Sequence, residues 1–374
     1  MTALFIFGTL RHLPLFEAVI GDVSHLTFSP AAVPGFCVFA AQEGPFPTIR
    51  PKKTSAAEGM LVTGLTAHDF ACLDYYEGAF GYQLAPVTTA AGDTAQAYMP
   101  PDAQAATDTP WDLDGWVAVW GALSVLAARE VMSYKGTKPA KDIAQMFGMI
   151  RARAWSRLNA QNSRHGAGTL DGAVEISAHR RVYANYFALD EIELRHARFD
   201  GAMTPTVLRA VFHAPDATLV LPYDPVRDRV LLVEQMRMGP LARGDKALWQ
   251  LEPIAGRLDP GEAPEAAARR EAQEEAGLQL GTMEAVAETY CSPGNSTEFY
   301  YIYVGAADLP DDAAGLGGLE SEDEDIRSHV FTLDDLLAMC DRQEIANAPL
   351  VMATYWLARH RASLCADPEF KRPV

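Results

Sequence analysis

The sequence predicts two domains of α+β and α/β class. Its length, 374 residues, exceeds what one core usually serves, and 49% apolar residues let each half bury a core of its own. Two zones of short β-like runs are separated by a zone of helical periodicity. Residues 1–105 carry "ALFIFG", "GFCVFA", "GMLVTGL" and "AQAYMP" between Gly/Pro turns, with one helix-like piece from Thr66 to Tyr76. Residues 106–168 switch period in "WVAVWGALSVLAAREVM" and "AKDIAQMFGMIRARAWSRL" and are expected as a helical connector, broken at Asn159 to Gly168 by a polar linker. Residues 169–374 form the second domain. Val182 to Phe199 alternates as long strand, "ATLVLPYDPVRDRVLLVEQMR" is a hairpin turning at Asp224–Asp228, "EFYYIYVGA" is a strand, and "APLVMATYWLARHRASL" is a closing helix.

The formal net charge of −18 argues against nucleic acid or an anionic membrane as partner, since both need a basic surface. An anionic substrate would need a local cation. Five cysteines without C-x-x-C spacing fit free thiols in a reducing cytoplasm. The N-terminal "MTALFIFGTLR" has no basic region before its short apolar run, so it reads as a buried strand. The apolar run Trp116 to Ala128 is shorter than a span of roughly 20 residues, and a soluble protein is expected.

"GRLDPGEAPEAAARREAQEEAGL", Gly256 to Leu278, is the most informative stretch. Glu265 to Ala276 are strong helix formers, and Gly277 stands where a helix stops. Glu271, Glu274 and Glu275 at i, i+3 and i+4 share one face, where like charges repel unless cations sit among them. Hard divalent ions suit such carboxylates and suit phosphate substrates. Arg270, facing Glu262, is placed to tie loop to helix. A solvated charged face is the ordinary reading of a Glu/Arg/Ala helix, but the spacing overrides it. The stretch fits G-x5-E-x7-R-E-U-x-E-E-x-G-U at every fixed position, and it resembles the Nudix box of the Nudix hydrolases.

The resemblance implies an α/β/α sandwich with a mixed sheet and hydrolysis of a nucleoside diphosphate linked to another group. It implies two or three Mg²⁺ ions, with Mn²⁺ as a substitute, held by Glu271, Glu275 and the carbonyl of Ala255, and with Glu274 as a further ligand. Pro293 in "SPGNSTE", sixteen residues beyond Gly277 (293 − 277), looks like the downstream signature of ADP-ribose-type members. "LPYDPVRDRVLLVEQMRMG", "WQLEPIAGRLDPGE", "EDEDIRSHV" and "IANAPLVMATYWL" extend the likeness to bacterial ADP-ribose pyrophosphatases over Val174 to Leu364. It assigns Arg237 and Arg209 to the diphosphate or ribose, where guanidinium forks match phosphate oxygens. Tyr186 is assigned to adenine stacking, with a core aromatic as the alternative. In the acidic run Glu320 to Asp325, Glu322 is favoured as the base for the attacking water and Glu324 as a ligand of a further ion. The look-alike enzymes are homodimers whose strands cross between subunits. The substrate expected is ADP-ribose, giving AMP and ribose 5-phosphate. The alternatives are another nucleoside diphosphate sugar or dinucleotide, or a nucleotide sensor with a regulatory N-terminal pocket.

"LFIFGTLR", "FPTIRP", "GMLVTGL" and "CLDYYEGAFGY" resemble the gamma-glutamylcyclotransferase-like family over the first 105 residues, which implies a small β-barrel with helices. There the loop Phe7-Gly8-Thr9-Leu10 presents backbone N–H groups to a substrate carboxylate, and Glu77 shuttles protons. A carboxyl in an apolar pocket has the raised pKa that a general base needs. A glutamate that merely ends a helix before Gly78 is the plainer reading. Phe7 replaces the family's tyrosine, and Leu84 stands where relatives carry arginine, so a binding or regulatory pocket is the alternative to catalysis.

Overall fold

The computed structural model describes residues 2–101, 105–161, 172–319 and 324–370. The chain forms two compact units, Met1–Ala167 and Gly168–Val374.

The first unit runs β1 (Ala3–Ile6), α1 (Leu13–Ile20), β2 (Thr27–Ala41), β3 (Pro47–Thr63), α2 (Ala67–Gly78), β4 (Gln83–Thr88), β5 (Thr94–Met99), β6 (Ala106–Pro110), α3 (Leu113–Trp116), α4 (Ala122–Ser133) and α5 (Ala140–Gln161). Its sheet order is β4-β5-β1-β3-β2-β6. Strand alternation sorts β1 between two cores: Leu4 and Ile6 pack with Leu15, Phe16, Leu73 and Trp116 under the helices, while Phe5 and Phe7 pack with Val33, Ile49 and Leu61 on the other face. A reciprocal cap starts α2, with Asp69 N–H donating to Thr66 Oγ1 at 3.2 Å and Thr66 N–H to Asp69 Oδ2 at 2.7 Å.

One expectation changes here. The sheet is not a closed barrel: β4 and β6 are its two edges, and among the described residues no pairing joins them. The long β2–β3 ribbon bends through a register shift at Pro34/Phe36, where Gly35 takes φ +81°, and this curvature mimics a barrel without closing one. The stretch 106–161, expected as a helical connector, packs on the first unit. β6 pairs with β2, and α4 packs on α1 and α5, because its apolar stripe (Leu123, Ala127, Val131) must be buried and α1 offers the partner face. The helical stretch Leu113–Ser133 is, by length and composition, long and apolar enough to cross a membrane; 39% of its most apolar window is buried inside the fold.

The second unit begins with a three-stranded antiparallel sheet, β7 (Val174–Ala184), β8 (Ala188–His196) and β9 (Val207–His213). Then follow β10 (Ala217–Asp224), β11 (Arg229–Met236), α6 (Met238–Arg243), β12 (Trp249–Glu252), β13 (Ile254–Arg257), α7 (Pro264–Ala276), β14 (Met283–Tyr290), β15 (Phe299–Ala306), β16 (Leu316–Gly317), β17 (Ile326–Thr332), α8 (Leu333–Asp341) and α9 (Ala348–Ala366). The mixed sheet reads β14-β15-β10-β11-β17-β16, with β12 beside β11 and β13 beside β10; β10 and β15 are parallel. Both faces of β10 and β11 are buried, which explains their unbroken apolar runs. Leu219, Leu221, Val230 and Leu232 meet α8 and α9, while Val220, Leu231 and Val233 meet Ala268 and Ala272 of α7. The β10–β11 turn is held by Asp224 Oδ1, which accepts from Val226 N–H at 2.8 Å and Arg227 N–H at 3.0 Å, with Asp228 at φ 57°.

Each unit thus has its own core, and the apolar faces of α4 and α5 are covered within the first. A chain starting at Thr169 is expected to fold, with a cooperative thermal transition and native-like circular dichroism. Aggregation of that fragment, or loss of cooperativity, would refute the independence of the second core.

Candidate active site

Helix α7 packs Ala268 and Ala272 into the core and is fixed further at its two ends. Pro264 occupies its first turn, and Gly277 in the left-handed region ends it, its N–H bonding Gln273 O while Leu278 N–H reaches back to Ala272 O. Arg270 ties the preceding loop to the helix. Its Nε and Nη2 donate to the two Glu262 oxygens at 3.0 Å each, Nη2 also to Arg257 O at 3.1 Å, and Nη1 to Glu271 Oε1 at 2.7 Å and Glu274 Oε2 at 3.0 Å. Gly256 on β13 lies directly beneath Glu271: a Cβ there would sit 1.8 Å from Oε1. The loop, the glycine and the helix therefore form one interlocked piece.

Glu275 is 2% exposed, and its Oε2 accepts from Ala255 N–H at 3.4 Å. Burial pushes its carboxyl up to about 8, reinforced by Glu271 and Glu324 and opposed by the Ala255 N–H and Arg237. Glu271 rises to about 7, again by burial first, with Arg270 opposing and Glu274 and Glu324 adding. Glu324 reaches this cluster because the β16–β17 hairpin lies against α7; a Cβ on Gly317 would meet the Glu275 carbonyl oxygen at 1.9 Å. Among the described residues no three His, Cys, Asp or Glu side chains are close enough to enclose an ion, since Glu271 is turned to Arg270 and Glu275 to Ala255. By type the donors fit a hard divalent cation: carboxylates gathered on one face, those of Glu271 and Glu275 with pKa values raised by burial and repulsion.

Arg237, at the end of β11, feels the charges of Glu275 and Glu324, and its guanidinium pKa is raised despite burial, chiefly by Glu252. Its Nε and Nη2 both donate to Glu252 Oε2, at 2.8 and 2.5 Å. Glu252, buried at the end of β12, is the residue that sequence reasoning missed. The available signal was an acid closing a short strand directly after Leu251 and just before Pro253.

The remaining expected residues fall into two groups. Tyr186, in the β7–β8 turn, is 45% exposed and not a core aromatic; the Arg257 guanidinium lies 4.6 Å from its ring centroid. Phe187 links that turn to Phe212, whose backbone bonds Asn295 and Thr297 of the Ser292–Thr297 loop, which bears exposed Pro293. Arg209 stands apart: it is exposed on β9 and donates to Leu208 O at 2.9 Å, and no described interaction joins it to the box. Glu322 lies outside the described residues.

The first unit holds a cavity of about 330 Å³ lined by Phe7, Gly8, Thr9, Leu10, Glu77 and aromatic side chains. Thr9 and Leu10 lie in a single turn, Thr9–Arg11, and a Cβ on Gly8 would meet Pro47 Cγ at 2.7 Å. Glu77 is half-buried in this wall, and burial pushes its carboxyl up to about 7. Leu84 is exposed on β4 and does not line the cavity.

Comparison with known proteins follows the same division. A family model described as NUDIX domain matches residues 213–353. The ADP-ribose pyrophosphatase of Escherichia coli (strain K12) is 40% identical over 191 residues, covering 51% of this chain and 90% of that one. The chain belongs to the Nudix family. The ADP-ribose pyrophosphatase of Haemophilus influenzae is 34% identical over 193 residues (51% of this chain, 88% of that protein), and the GDP-mannose pyrophosphatase of Citrobacter koseri is 32% identical over 180 (48% and 91%). A second family model, Gamma-glutamyl cyclotransferase, AIG2-like, matches residues 4–118. The order is thus a cyclotransferase-like unit followed by a Nudix hydrolase unit.

The raised carboxyls of the Nudix helix have a stability consequence. A group whose pKa is higher in the folded state stabilises the fold below its ordinary value, and that contribution is lost as pH rises through the folded value. For Glu271 and Glu275 the loss falls between about pH 5 and pH 9, through their values of about 7 and about 8. In EDTA the melting temperature should fall across that window, Mg²⁺ should restore it, and Glu275→Gln should flatten the slope. Identical slopes in wild type and variant would contradict the burial of charge described above.

Proposed function

We propose that the second unit hydrolyses the pyrophosphate of ADP-ribose to AMP and ribose 5-phosphate, using divalent cations. One observation carries this reading: the interlocked box that sets Glu271, Glu274 and Glu275 on one face of α7, beside Arg237 and Glu324. Glu271 and Glu275, with the Ala255 carbonyl, would hold Mg²⁺, two or three ions with Glu324 included, and Mn²⁺ would substitute. When bound, such ions polarise the phosphoryl oxygens and lower the pKa of a coordinated water.

The chain's own residues then have distinct tasks. Leaving Arg270 frees the Glu271 oxygen, while Arg270 keeps Glu262 and Glu274 and so holds the loop. Arg237 offers the guanidinium edge not used by Glu252 to diphosphate or ribose oxygens, supplying local positive charge on an acidic protein. Tyr186 provides an exposed ring for adenine, with Arg257 on one face. Glu322 serves as base on the attacking water, and Arg209 contributes to the substrate only if another copy of the chain brings it to the box, as in a homodimer built on β7–β9. Free thiols at all five cysteines support a reducing compartment, the cytoplasm. ADP-ribose is preferred over GDP-mannose because the ADP-ribose pyrophosphatases are nearer in sequence, 40% against 32% identity.

Two variants test the assignment with a coupled AMP assay. Glu275→Gln should lower turnover with ADP-ribose and Mg²⁺ about a hundredfold or more, with folding intact. Near-wild-type turnover would remove the metal role. Arg237→Ala should raise KM about tenfold or more, since an interaction made in ground and transition state is lost. An unchanged KM would leave Arg237 only its structural bond to Glu252.

A further inference from the structure

Arg237 stands between competing acids. It follows β11 directly, and its extended backbone, φ −121° and ψ 137°, continues the strand's alternation, so Val233, Gln235 and Arg237 fall on one face. That face meets α7, since Val233 packs with Ala268 and Ala272. The charges of Glu252, Glu275 and Glu324 all act on Arg237, yet among the described residues only Glu252 is bonded to it. Its Nε and Nη2 both donate to the one Glu252 oxygen, at 2.8 and 2.5 Å.

Strand pairing places Glu252 for this. β12 lies antiparallel to β11 with Glu252 opposite Val233, and Arg237 N–H extends the same ladder to Leu248 O at 2.9 Å. Glu252 is 7% exposed, and among the described residues Arg237 is the one partner of its carboxylate. A half-buried guanidinium on a long side chain, once released, moves to the strongest negative charge within reach. On the α7 side that charge is Glu275, which is buried and, among the described residues, accepts only the 3.4 Å bond from Ala255 N–H. A guanidinium seated there would occupy the carboxylate that a divalent ion needs, and it would leave the substrate side without its cation.

We infer that Glu252 is a positioning residue: it holds Arg237 away from Glu275, and so keeps Glu275 open to a divalent cation and the free guanidinium edge open to substrate. This rests on the reading above in which Glu275 holds a metal ion, and it adds a residue outside the box that acts only through Arg237. The pairing of β12 with β11 is then what separates the protein's own cation from the one it recruits.

The test uses the full-length protein without substrate and Mn²⁺ as the probe, the free ion being measured by electron paramagnetic resonance, beside AMP release from ADP-ribose. Glu252→Gln should weaken Mn²⁺ binding about tenfold, the order of one charge-assisted bond that the ion must displace. In an Arg237→Met background the same substitution should change Mn²⁺ affinity by less than about twofold, because a residue that acts through another has no effect once that other is gone. Glu252→Asp keeps the charge but shortens the reach. It should weaken Mn²⁺ binding about threefold, again only while Arg237 is present, which covers the case in which the glutamine variant fails to fold. A merely structural Glu252 would weaken binding equally in both backgrounds. Unchanged Mn²⁺ affinity in Glu252→Gln and Glu252→Asp, or a loss that persists with Arg237→Met, would each overturn the inference alone. A wild type that binds no Mn²⁺ would overturn it together with the metal reading, whereas one that binds Mn²⁺ and releases no AMP would count only against ADP-ribose as the substrate.

Discussion

The Arg270 guanidinium is the interaction on which the Nudix unit's chemistry depends. Charges of one sign a few ångströms apart cost on the order of 4 kcal/mol per pair near a protein surface. Glu271, Glu274 and Glu275 are such a set, joined by Glu262 from the loop and Glu324 from the β16–β17 hairpin. One planar cation touching Glu262, Glu271 and Glu274 at once, and the Arg257 carbonyl besides, offsets enough of this to let the acids gather. A lysine could not do the same, because it has neither the five donors nor the fixed fork. The compensation is incomplete: among the described residues no cation is bonded to Glu275, and its carboxyl rises further than that of Glu271.

Close backbone approach follows from the same constraint. For the acids to converge, β13 and β16 must both come within side-chain-free distance of α7. That explains two glycines of different standing in the sequence. Gly256 is a fixed position of the box motif and sits under Glu271; Gly317 belongs to no motif, yet its missing side chain is what lets β16 reach the Glu275 carbonyl. The second glycine sets how near β16, and with it Glu324, can come to α7.

Much of this was legible in the sequence, for a physical reason. The box is local: i, i+3 and i+4 spacing places three carboxylates on a face whatever the rest of the chain does, and a glycine stop needs only its own φ. The β10–β11 hairpin was legible on the same grounds, through Asp224 and Asp228. What escaped depends on pairing distant segments. Glu252 meets Arg237 only because β12 folds back on β11 with Met236 opposite Trp249, a register no local pattern announces. The first sheet's openness depends on which strands remain edges, and the allegiance of α4 and α5 depends on where α1 presents its apolar face. Helical periodicity shows that a face must be buried, not by what.

Two glutamates with raised carboxyls, one in each unit, show how one physical effect is put to different ends. Glu77 and Glu275 both rise because burial penalises the charged form. Glu77 sits in an aromatic cavity, and burial alone accounts for its shift to about 7, so it gains or loses a proton with little free-energy change near neutral pH. Glu275 rises to about 8 with Glu271 and Glu324 adding to the burial, so its surplus is negative potential shared by a group of acids. A proton answers only one of those charges, whereas a divalent cation answers several at once and can bond more than one oxygen. The isolated carboxyl is therefore suited to proton exchange and the crowded one to holding metal, and the difference lies in the neighbours and not in the residue.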